Sequence, residues 1–586
     1  MKTLFGVLGA ALLAAGMAIG ARPQADELHK LFADYYEFKL REDPRMATSV
    51  GRRDYNDRWD DPSPEHLRLR RAELQKLLER LQEIPVAQIS GQDRLNWRMM
   101  DWMVTNEIKD IDQVGDYFTV NGFIGAHLNI FSTVPKEPAK TVKDYEDQIA
   151  RLRALPQWVD RTIAAANASI AEKRVPPKQT AEAVVKQLDA EMAPDAMDSV
   201  LLKAFKNFPD SIPANEQARP RAEAVDAYNN SFRPAWKKFR DYVATTYVAA
   251  ARDSIGLSQE ADGPELYAFL VQRRTTTNYT PEQIHEIGLK EVARIQTEMP
   301  AIRMELNFSG TAQEFSDQVL NAPRFHFHSE QEILVHGRDI AKRIDPELPH
   351  MFKTLPRMTY GVAAIPADRA RTAAPYYEGP ALDGSRAGYF YLRTVDSEKA
   401  SSCCMEALIL HESVPGHHLQ IALADEIEGM PEFRKVGGGL NAYVEGWALY
   451  AETLGSQLHM YETPYERYGQ LQSELFRAAR LVVDTGIHTK NWTRGQAIDY
   501  LYSSGANPSR DFMSSEVDRY IAWPAQALSY KMGELKIMEL RELAQKELGA
   551  RFDIREFHDA VLRNGALPLD FLEEEIKAWI AQQKRQ

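Results

Sequence analysis

The segment HESVPGHHLQ, which begins at His411, concentrates residue types that bind and use a metal ion. In the H-E-x-x-H arrangement, two histidines four residues apart bind zinc from one helix face, and the glutamate after the first is a general base. Here His411 is followed by Glu412, but position 415 is Pro415, and the next histidines are His417 and His418. The segment therefore predicts a zinc site with an unusual ligand spacing.

A straight helix does not bring these histidines together. Side chains four residues apart on a helix are about 6 Å apart, whereas a six-residue separation moves them by about 9 Å along the axis. Proline removes a backbone hydrogen bond, and extra residues inserted into a helical turn form a bulge that is common at functional sites. We expect such a bulge at Pro415 and Gly416, which places His417 as the second ligand and leaves His418 as the alternative.

A third ligand is predicted on a later helix. Zinc sites that keep an open water position often take a carboxylate as the third protein ligand. The stretch LNAYVEGWALYAETLG carries Glu445 among apolar residues, where an unpaired carboxylate is costly to bury. A structural ion pair is the alternative for Glu445. Glu452, seven residues later on the same face, is either the substitute ligand or a hydrogen-bond partner of one.

Helices must position these groups. Apolar residues recur at spacings of three and four from Asp26 to about Ile255, and helical patterns continue to about Leu306 and again after Ser397. Short aromatic runs bounded by Gly and Pro, TYGVAAIPADR and AGYFYLRT, predict strands. The expected fold is mostly α-helical, a large helical body with a central cleft and a small β-sheet preceding the metal-binding helix.

We interpret residues 22–586 as one large domain. It has a possible division into a helical part, 26–255, and a part with the sheet and the site, 256–586. The N-terminus has Lys2 followed by a stretch rich in Leu and Ala, which is typical of a secretory signal peptide at residues 1–21. An uncleaved anchor helix is less favoured, because a bilayer span needs roughly 20 apolar residues. No cysteine lies near the predicted cleavage site, so we expect a periplasmic or secreted protein without a lipid and without stable membrane insertion.

Composition narrows the classes of partner. The 71 Lys and Arg against 84 Asp and Glu give a net charge of −13, and there is no long basic run, which argues against a nucleic-acid partner. The chain of 586 residues is long enough to enclose a deep cleft. Cys403 and Cys404 are adjacent and are predicted to pack in the core, since an ordinary disulfide prefers Cα atoms about 5.5 Å apart.

Four motifs carry a resemblance to a known family. HESVPGHHLQ, NAYVEGWALYAE, RLVVDTGIHTKNWT and AWPAQALSYKMG together resemble the bacterial family called domain of unknown function 885, over most of the chain after the signal. That family looks like a distant relative of helical zinc peptidases of the thimet oligopeptidase, carboxypeptidase Taq and angiotensin-converting-enzyme type. Those enzymes carry H-E-x-x-H, a later glutamate ligand, and downstream His and Tyr residues that contact substrate. The Pro-Gly insertion departs from their pattern.

The resemblance implies roles for particular residues. His411, His417 and Glu445 match the metal ligands, and Glu412 matches the general base. The peptidases use tyrosine or histidine to stabilise the oxyanion of amide hydrolysis. Tyr530 in ALSYKMG and His488 in DTGIHTKNW are the candidates for that role, and a packed aromatic or a core histidine is the alternative for each.

Three cations and two tyrosines are candidate substrate-binding residues. Arg477, Arg480 and Lys531 are available to pair with a substrate carboxylate, with ordinary salt bridges as the alternative. Tyr389 and Tyr391 belong to AGYFYLRT, which is either an edge strand that binds an extended peptide or a core strand.

Together these patterns predict an exported zinc-dependent peptidase with a peptide as its partner. Two other functions use the same ligands. A metal-dependent hydrolase of non-peptide amides or esters would need the same residues. A non-catalytic metal-binding or scaffold protein would not need Glu412, because a structural site requires ligands but no base.

Overall fold

The protein is described from a computed structural model. It describes residues 25–366, 370, 374–381, 384, 386–403, 405–436, 440–507 and 509–585. The predicted signal peptide at residues 1–21 and Cys404 lie outside the described residues. The chain divides into two compact units, one formed by residues up to 253 with 429–438, and one by residues 254–428 with 439–586.

The first unit is mostly helical within its described residues. A capping box at Thr141 and Asp144 starts its longest helix, in which the two side chains bond each other's backbone N–H groups. Buried aromatic side chains such as Trp158, Trp236 and Phe239 form its core. Its helices are α1 (residues 25–42), α2 (Pro44–Ser49), α3 (Pro64–Gln82), α4 (Gly91–Gln113), α5 (Leu128–Thr133), α6 (Val142–Ala171), α7 (Lys178–Ala190), α8 (Lys203–Lys206), α9 (Ala214–Ala227), α10 (Arg233–Tyr242), α11 (Val248–Ala250) and α19 (Glu432–Lys435), with π-helical turns at Tyr228–Phe232 and Val243–Tyr247.

The second unit carries the predicted site. Thr280 caps its helix α13, with Pro281 at the first helical position. Its helices are α12 (Gly263–Thr275), α13 (Pro281–Glu305), α14 (Ala312–Asn321), α15 (Glu330–Ile344), α16 (Leu348–Met351), α17 (Met405–Glu412), α18 (His417–Asp425), α20 (Asn441–Thr453), α21 (Pro464–Thr489), α22 (Arg494–Ser503), α23 (Arg510–Ala522), α24 (Ser529–Leu548), α25 (Ile554–Leu562) and α26 (Leu569–Gln583). The mostly α-helical prediction is confirmed.

A three-stranded sheet precedes α17, as predicted. Its strands are β1 (Tyr360–Ala364), β2 (Tyr376–Glu378) and β3 (Gly388–Leu392), in the order β1-β3-β2. β3 runs parallel to β1, with Phe390 opposite Val362, and antiparallel to β2, with Phe390 opposite Tyr377. AGYFYLRT therefore contains the central strand, and the edge-strand alternative for it is wrong, because β3 is paired along both sides. β2 lies at an edge of the sheet.

Two glycines set the distance between the helices that carry Glu445 and Tyr530. A Cβ atom on Gly446 of α20 would lie 2.4 Å from the Cα of Gly533 on α24, and one on Gly533 would lie 1.8 Å from the carbonyl oxygen of Ala442. Only glycine at both positions lets the two backbones pack this closely. The close packing fixes the position of α20 against α24.

Candidate metal centre

The Pro-Gly insertion separates two helices. α17 ends at Glu412 and α18 begins at His417, so the expected bulge within one long helix is instead a four-residue connection. The N–H of His418 donates to the carbonyl of Ser413 at 2.9 Å, a wider turn than that of an α-helix. A Cβ atom on Gly416 would lie 1.9 Å from the carbonyl oxygen of His411, so glycine lets the connection fold back over the end of α17.

This connection brings three predicted ligands together. Nε2 of His411 lies 3.4 Å from Oε2 of Glu445, and Nε2 of His417 lies 3.5 Å from the same oxygen. The three ligand atoms all lie within 4.8 Å of one another. Ligand atoms about 2.1 Å from one tetrahedral zinc ion stand about 3.4 Å apart. The spacing and the chemistry of these two imidazoles and one carboxylate therefore fit a zinc ion.

A buried carboxylate orients the first histidine. Nδ1 of His411 lies 2.8 Å from Oε1 of Glu452, whose side chain is 1% exposed. A proton on Nδ1 is donated to this carboxylate, and Nε2 then presents its lone pair to the cluster. Histidines that bind metals usually donate their other ring N–H in this way. Of the two alternatives predicted for Glu452, the structure therefore matches the hydrogen-bond partner of a ligand rather than the substitute ligand.

His418 points away from the cluster. Its Nε2 is 3.0 Å from the carbonyl of Met358, and its Nδ1 is 2.8 Å from the hydroxyl of Tyr377. Since the carbonyl can only accept, Nε2–H donates to it, and Nδ1 accepts from the tyrosine. Burial lowers the pKa of His418 to about 4, so the ring is neutral at physiological pH. Of the two alternatives for the second ligand, the structure brings His417 to the cluster.

The carboxylates of Glu445 and Glu452 favour positive charge on His411. Burial alone opposes charge on His411, but its hydrogen bonds to Glu445 and Glu452 outweigh burial and raise its pKa to about 9. Burial likewise opposes charge on Glu445, yet the two histidines hold its pKa well below the usual range. The histidines and the carboxylates therefore stabilise each other's charged forms, and a divalent metal is the ion that suits two imidazoles and a carboxylate.

A cavity of about 610 Å³ opens beside the cluster within the second unit. Residues of β2, α17, α18, α20, α21, α23 and α24 line it, and they include Glu412 and Tyr530. Burial raises the pKa of Glu412, while His417 and His411 act in the opposite direction. Arg477 and Arg480 also line the cavity, so the structure brings these four predicted residues to one space.

His488 lies in the core rather than among the cavity's lining residues. Its Nδ1 accepts a hydrogen bond from the N–H of Leu257 at 3.2 Å, and its Nε2 donates to the carbonyl of Tyr520 at 3.1 Å. The ring packs at 4.9 Å from that of Tyr267. His488 therefore matches the core-histidine alternative, and the structure does not bring it to the predicted oxyanion position.

Lys531 is also internal. Its ammonium pairs with Glu534 at 2.6 Å, Glu474 at 2.8 Å and Glu291 at 3.2 Å, and its side chain is 1% exposed. Three carboxylates already neutralise this charge. Lys531 links α24 to α13 and α21, and the structure does not place it against the cavity.

The two tyrosines predicted from AGYFYLRT lie on β3, away from the cavity lining. The rings of Tyr389 and Tyr391 are 5.9 Å apart, and Tyr391 stacks at 4.9 Å on Tyr376 of the neighbouring strand. Tyr376 and Tyr377 of β2 line the cavity in their place. Because β2 is only three residues long, its alternation was too short to be recognised in the sequence.

Helix α23 contributes a second group of cavity-lining residues that the sequence did not predict. Glu516 and Arg519 of this helix line the cavity, as do Phe512 and, from α21, Phe476. The four sequence motifs contain none of these lining residues of α23. Their position follows from how α23 packs on α21, and no local pattern indicates it.

Fold and cluster together define a mostly α-helical protein with a candidate site of two histidines and one carboxylate beside a deep cavity. The chain belongs to the family described as "Bacterial protein of unknown function (DUF885)", whose pattern it matches over residues 44–576. No curated protein matches it.

Two solved structures are similar to this chain. One, from Colwellia psychrerythraea, has a TM-score of 0.90 and 29% sequence identity, over 95% of this chain and 100% of that one. The other, from Shewanella oneidensis, has a TM-score of 0.73 and 17% identity over 93% of this chain and 98% of that one, which shows a shared fold. Each is described as a "putative lipoprotein".

Proposed function

We propose that this protein is an exported zinc-dependent peptidase. The observation that carries the proposal is the spacing of 3.4 and 3.5 Å between the ligand atoms of His411, His417 and Glu445, with Glu412 lining the adjoining cavity. A zinc ion bound by these ligands supplies Lewis-acid activation of a water molecule and of a substrate carbonyl. The distant relationship to helical zinc peptidases that the sequence motifs lead us to expect for the family favours the same reaction.

Glu412 is the general base in this proposal. Its carboxylate takes a proton from the attacking water and then delivers it to the leaving amine. Burial raises the pKa of Glu412, which brings its basicity closer to that needed for proton transfer near neutral pH. Glu452 keeps His411 in the tautomer that leaves Nε2 free for the metal.

Tyr530 is the proposed hydrogen-bond donor to the oxyanion. It lines the same cavity as Glu412, and its ring lies 4.6 Å below the guanidinium of Arg480. β2 is the proposed site for the peptide main chain, since its residues Tyr376 and Tyr377 line the cavity and no strand among the described residues pairs with its outer side. An extended peptide binds such an edge by main-chain hydrogen bonds.

Export is part of the proposal. The sequence of residues 1–21 supports a cleaved signal peptide, and the similar solved structure from Colwellia psychrerythraea is described as a "putative lipoprotein", a class of exported proteins. The described residues contain no helix with the length and apolar character that a membrane span requires. We propose a periplasmic or secreted location, without a lipid anchor through cysteine.

The test is cleavage of a peptide mixture followed by mass spectrometry. The zinc-loaded protein is expected to convert peptides into fragments, and the Glu412→Gln variant is expected to retain zinc but lose about 10²–10⁴-fold in rate. Glu428→Gln is the matched control, because Glu428 is exposed and is not among the residues that line the cavity. If the peptide mixture is unchanged and only ester or non-peptide amide probes are cleaved, the peptidase proposal is wrong and the protein is a hydrolase of non-peptide substrates.

A further inference from the structure

One wall of the cavity carries more positive than negative charge. Arg480 and Arg519 both line the cavity, and both pair with Glu516, at 2.9 and 3.3 Å. Two guanidinium groups therefore share one carboxylate, so positive charges outnumber negative ones by one among these three described residues of the cavity lining. We call Arg480, Arg519 and Tyr530 the arginine wall.

Arg480 lacks a full set of hydrogen-bond acceptors. It is 4% exposed, its Nε donates to the hydroxyl of Tyr520 at 3.0 Å, and its Nη2 donates to Glu516. Its Nη1 is buried and has no hydrogen-bond partner within the described parts of the chain. The guanidinium lies 4.2 Å from the centre of the Phe476 ring and 4.6 Å from that of Tyr530, so it is fixed between two aromatic faces.

Arg519 is the more accessible of the two arginines in the arginine wall, with a side chain that is 20% exposed against 5% for Arg480. Its Nη2 donates to Oε1 of Gln526 and lies 3.4 Å from the hydroxyl of Tyr530. A cation and a hydroxyl donor are thus adjacent at the cavity surface. This pair differs from Arg477, whose guanidinium lies 3.8 Å from Glu452 and donates to the carbonyl of Ser473.

We propose that the arginine wall binds a carboxylate of the substrate, an inference that rests on the proposed hydrolysis of peptides in the same cavity. Guanidinium groups bind carboxylates through paired, charge-assisted hydrogen bonds. A buried cation without a counter-charge is costly, so an incoming carboxylate is stabilised where a neutral amide is not. The carboxylate has two sources in a peptide, the C-terminus and an acidic side chain.

Three related peptides distinguish these sources. The first has a free C-terminus and no acidic side chain, the second is its C-terminal amide, and the third is an amide with one Glu added. Zinc-loaded wild-type protein is expected to cleave the free acid with a kcat/KM about 10–100-fold above that of the plain amide. Preference for the third peptide over the second, without preference for the first, identifies an acidic side chain as the ligand.

Arg519→Gln is expected to reduce the ratio between acid and amide to within about threefold, because the accessible cation is lost. Arg510→Gln is the matched control, since Arg510 is on the same helix, pairs with Asp499 outside the cavity lining and is 56% exposed. It should keep the wild-type ratio. Equal cleavage of all three peptides by the wild-type protein would overturn the carboxylate subsite and leave peptide hydrolysis intact.

A binding measurement separates failure of the subsite from failure of the proposed function. If no peptide is cleaved, calorimetry with the zinc-loaded Glu412→Gln variant still compares the free acid with the amide. Tighter binding of the acid, lost in the variant that also carries Arg519→Gln, supports the arginine wall without any turnover. Equal affinity for both peptides contradicts it.

Discussion

Glu452 lies later on the same helix as Glu445 and adds its negative charge to the candidate metal centre. It accepts a hydrogen bond from Nδ1 of His411 at 2.8 Å and is almost completely buried, so this contact decides which ring nitrogen faces Glu445. In the sequence, Glu452 is only a carboxylate seven residues after Glu445. Its role depends on α17 and α20 packing against each other, which no local pattern specifies.

Glu452→Gln tests this contact. The amide still accepts a hydrogen bond but loses the negative charge that favours a basic Nε2 on His411. We expect zinc affinity to fall about 10–100-fold while the fold is retained, as measured by competition with a chromophoric chelator. Glu462→Gln, at a carboxylate that is 63% exposed, is the control. Wild-type zinc affinity in the Glu452 variant would mean that this carboxylate serves packing only.

At the same scale, the sequence predicted which three ligand residues converge but not how. The expected bulge was replaced by a break between α17 and α18, with Gly416 folded against His411. Sequence spacing alone does not decide between His417 and His418 as the second ligand. The direction of the His418 ring depends on Met358 and Tyr377, which come from the sheet region. Contacts between residues 40 or more positions apart in sequence cannot be inferred from spacing.

At the scale of elements, the approach of α20 to α24 positions Glu445. Gly446 and Gly533 let the helix backbones touch, and the indole N–H of Trp447 donates to the carbonyl of Pro415 at 2.8 Å. α20 is therefore fixed on one side by α24 and on the other by the connection that presents His417.

Gly446→Ala should disturb both stability and the metal centre. Its Cβ atom would meet backbone atoms of Gly533, which cannot move without shifting α24. Overpacking of this kind costs about 1–3 kcal/mol, so we expect a lower urea midpoint and weaker zinc binding. In Gly495→Ala the new Cβ meets only the hydroxyl oxygen of Thr493, at 4.0 Å, and this control should unfold like the wild type. An unchanged midpoint in Gly446→Ala would show that the two helices separate freely.

His558 of α25 gives this region a pH dependence. Its Nε2 accepts from the hydroxyl of Tyr450 on α20, and its Nδ1 donates to the carbonyl of Met351 on α16, each at 2.8 Å. Burial lowers the pKa of His558 from 6.5 to about 3. Below pH 6.5 the unfolded chain binds a proton that the folded chain does not, so stability is lost as pH falls toward 3.

We expect the free energy of unfolding of the wild type to fall more steeply than that of His558→Asn as the pH is lowered from 6.5. The extra slope is about 1.4 kcal/mol per pH unit, and urea unfolding at pH 7.5, 6.0 and 5.0 measures it. His350→Asn, at a histidine that is 70% exposed, should keep the wild-type slope. Parallel curves for wild type and His558→Asn would contradict neutral burial of this ring.

The sequence predicted the helices and strands better than it predicted the contacts between them. Periodicity and short aromatic runs indicated both the helices and the strands, since burial of one face leaves a local signature. They did not indicate that β3 is the central strand, nor that His488 and Lys531 are enclosed by other helices. Pairing on both sides of a strand and enclosure by distant residues are properties of the assembled unit.

For the whole molecule, the cavity residues all belong to the second compact unit, residues 254–428 with 439–586. The sequence predicted only a possible division near residue 255, into a helical part and a part with the sheet and the site. It did not indicate that residues 429–438 return to the first unit, because a ten-residue segment has no pattern of its own.

Processing of the N-terminus is a prediction for the whole chain. We expect the protein isolated from cells to begin near Arg22, because Lys2, the apolar stretch and the small residues before Arg22 form a cleavable signal. N-terminal sequencing and intact-mass measurement check this and show whether a lipid is attached. Protein that starts at Met1 or carries an acyl group would contradict it.

The central claim, that the second unit binds zinc through His411, His417 and Glu445, is tested most directly by equilibrium zinc titration of metal-free protein. We predict about one zinc ion per chain for the wild type, loss of binding in His417→Ala, and retention of most binding in His418→Ala, whose ring contacts Met358 and Tyr377 instead. No zinc uptake by the folded wild type, or loss of binding in His418→Ala with full binding in His417→Ala, would contradict this account.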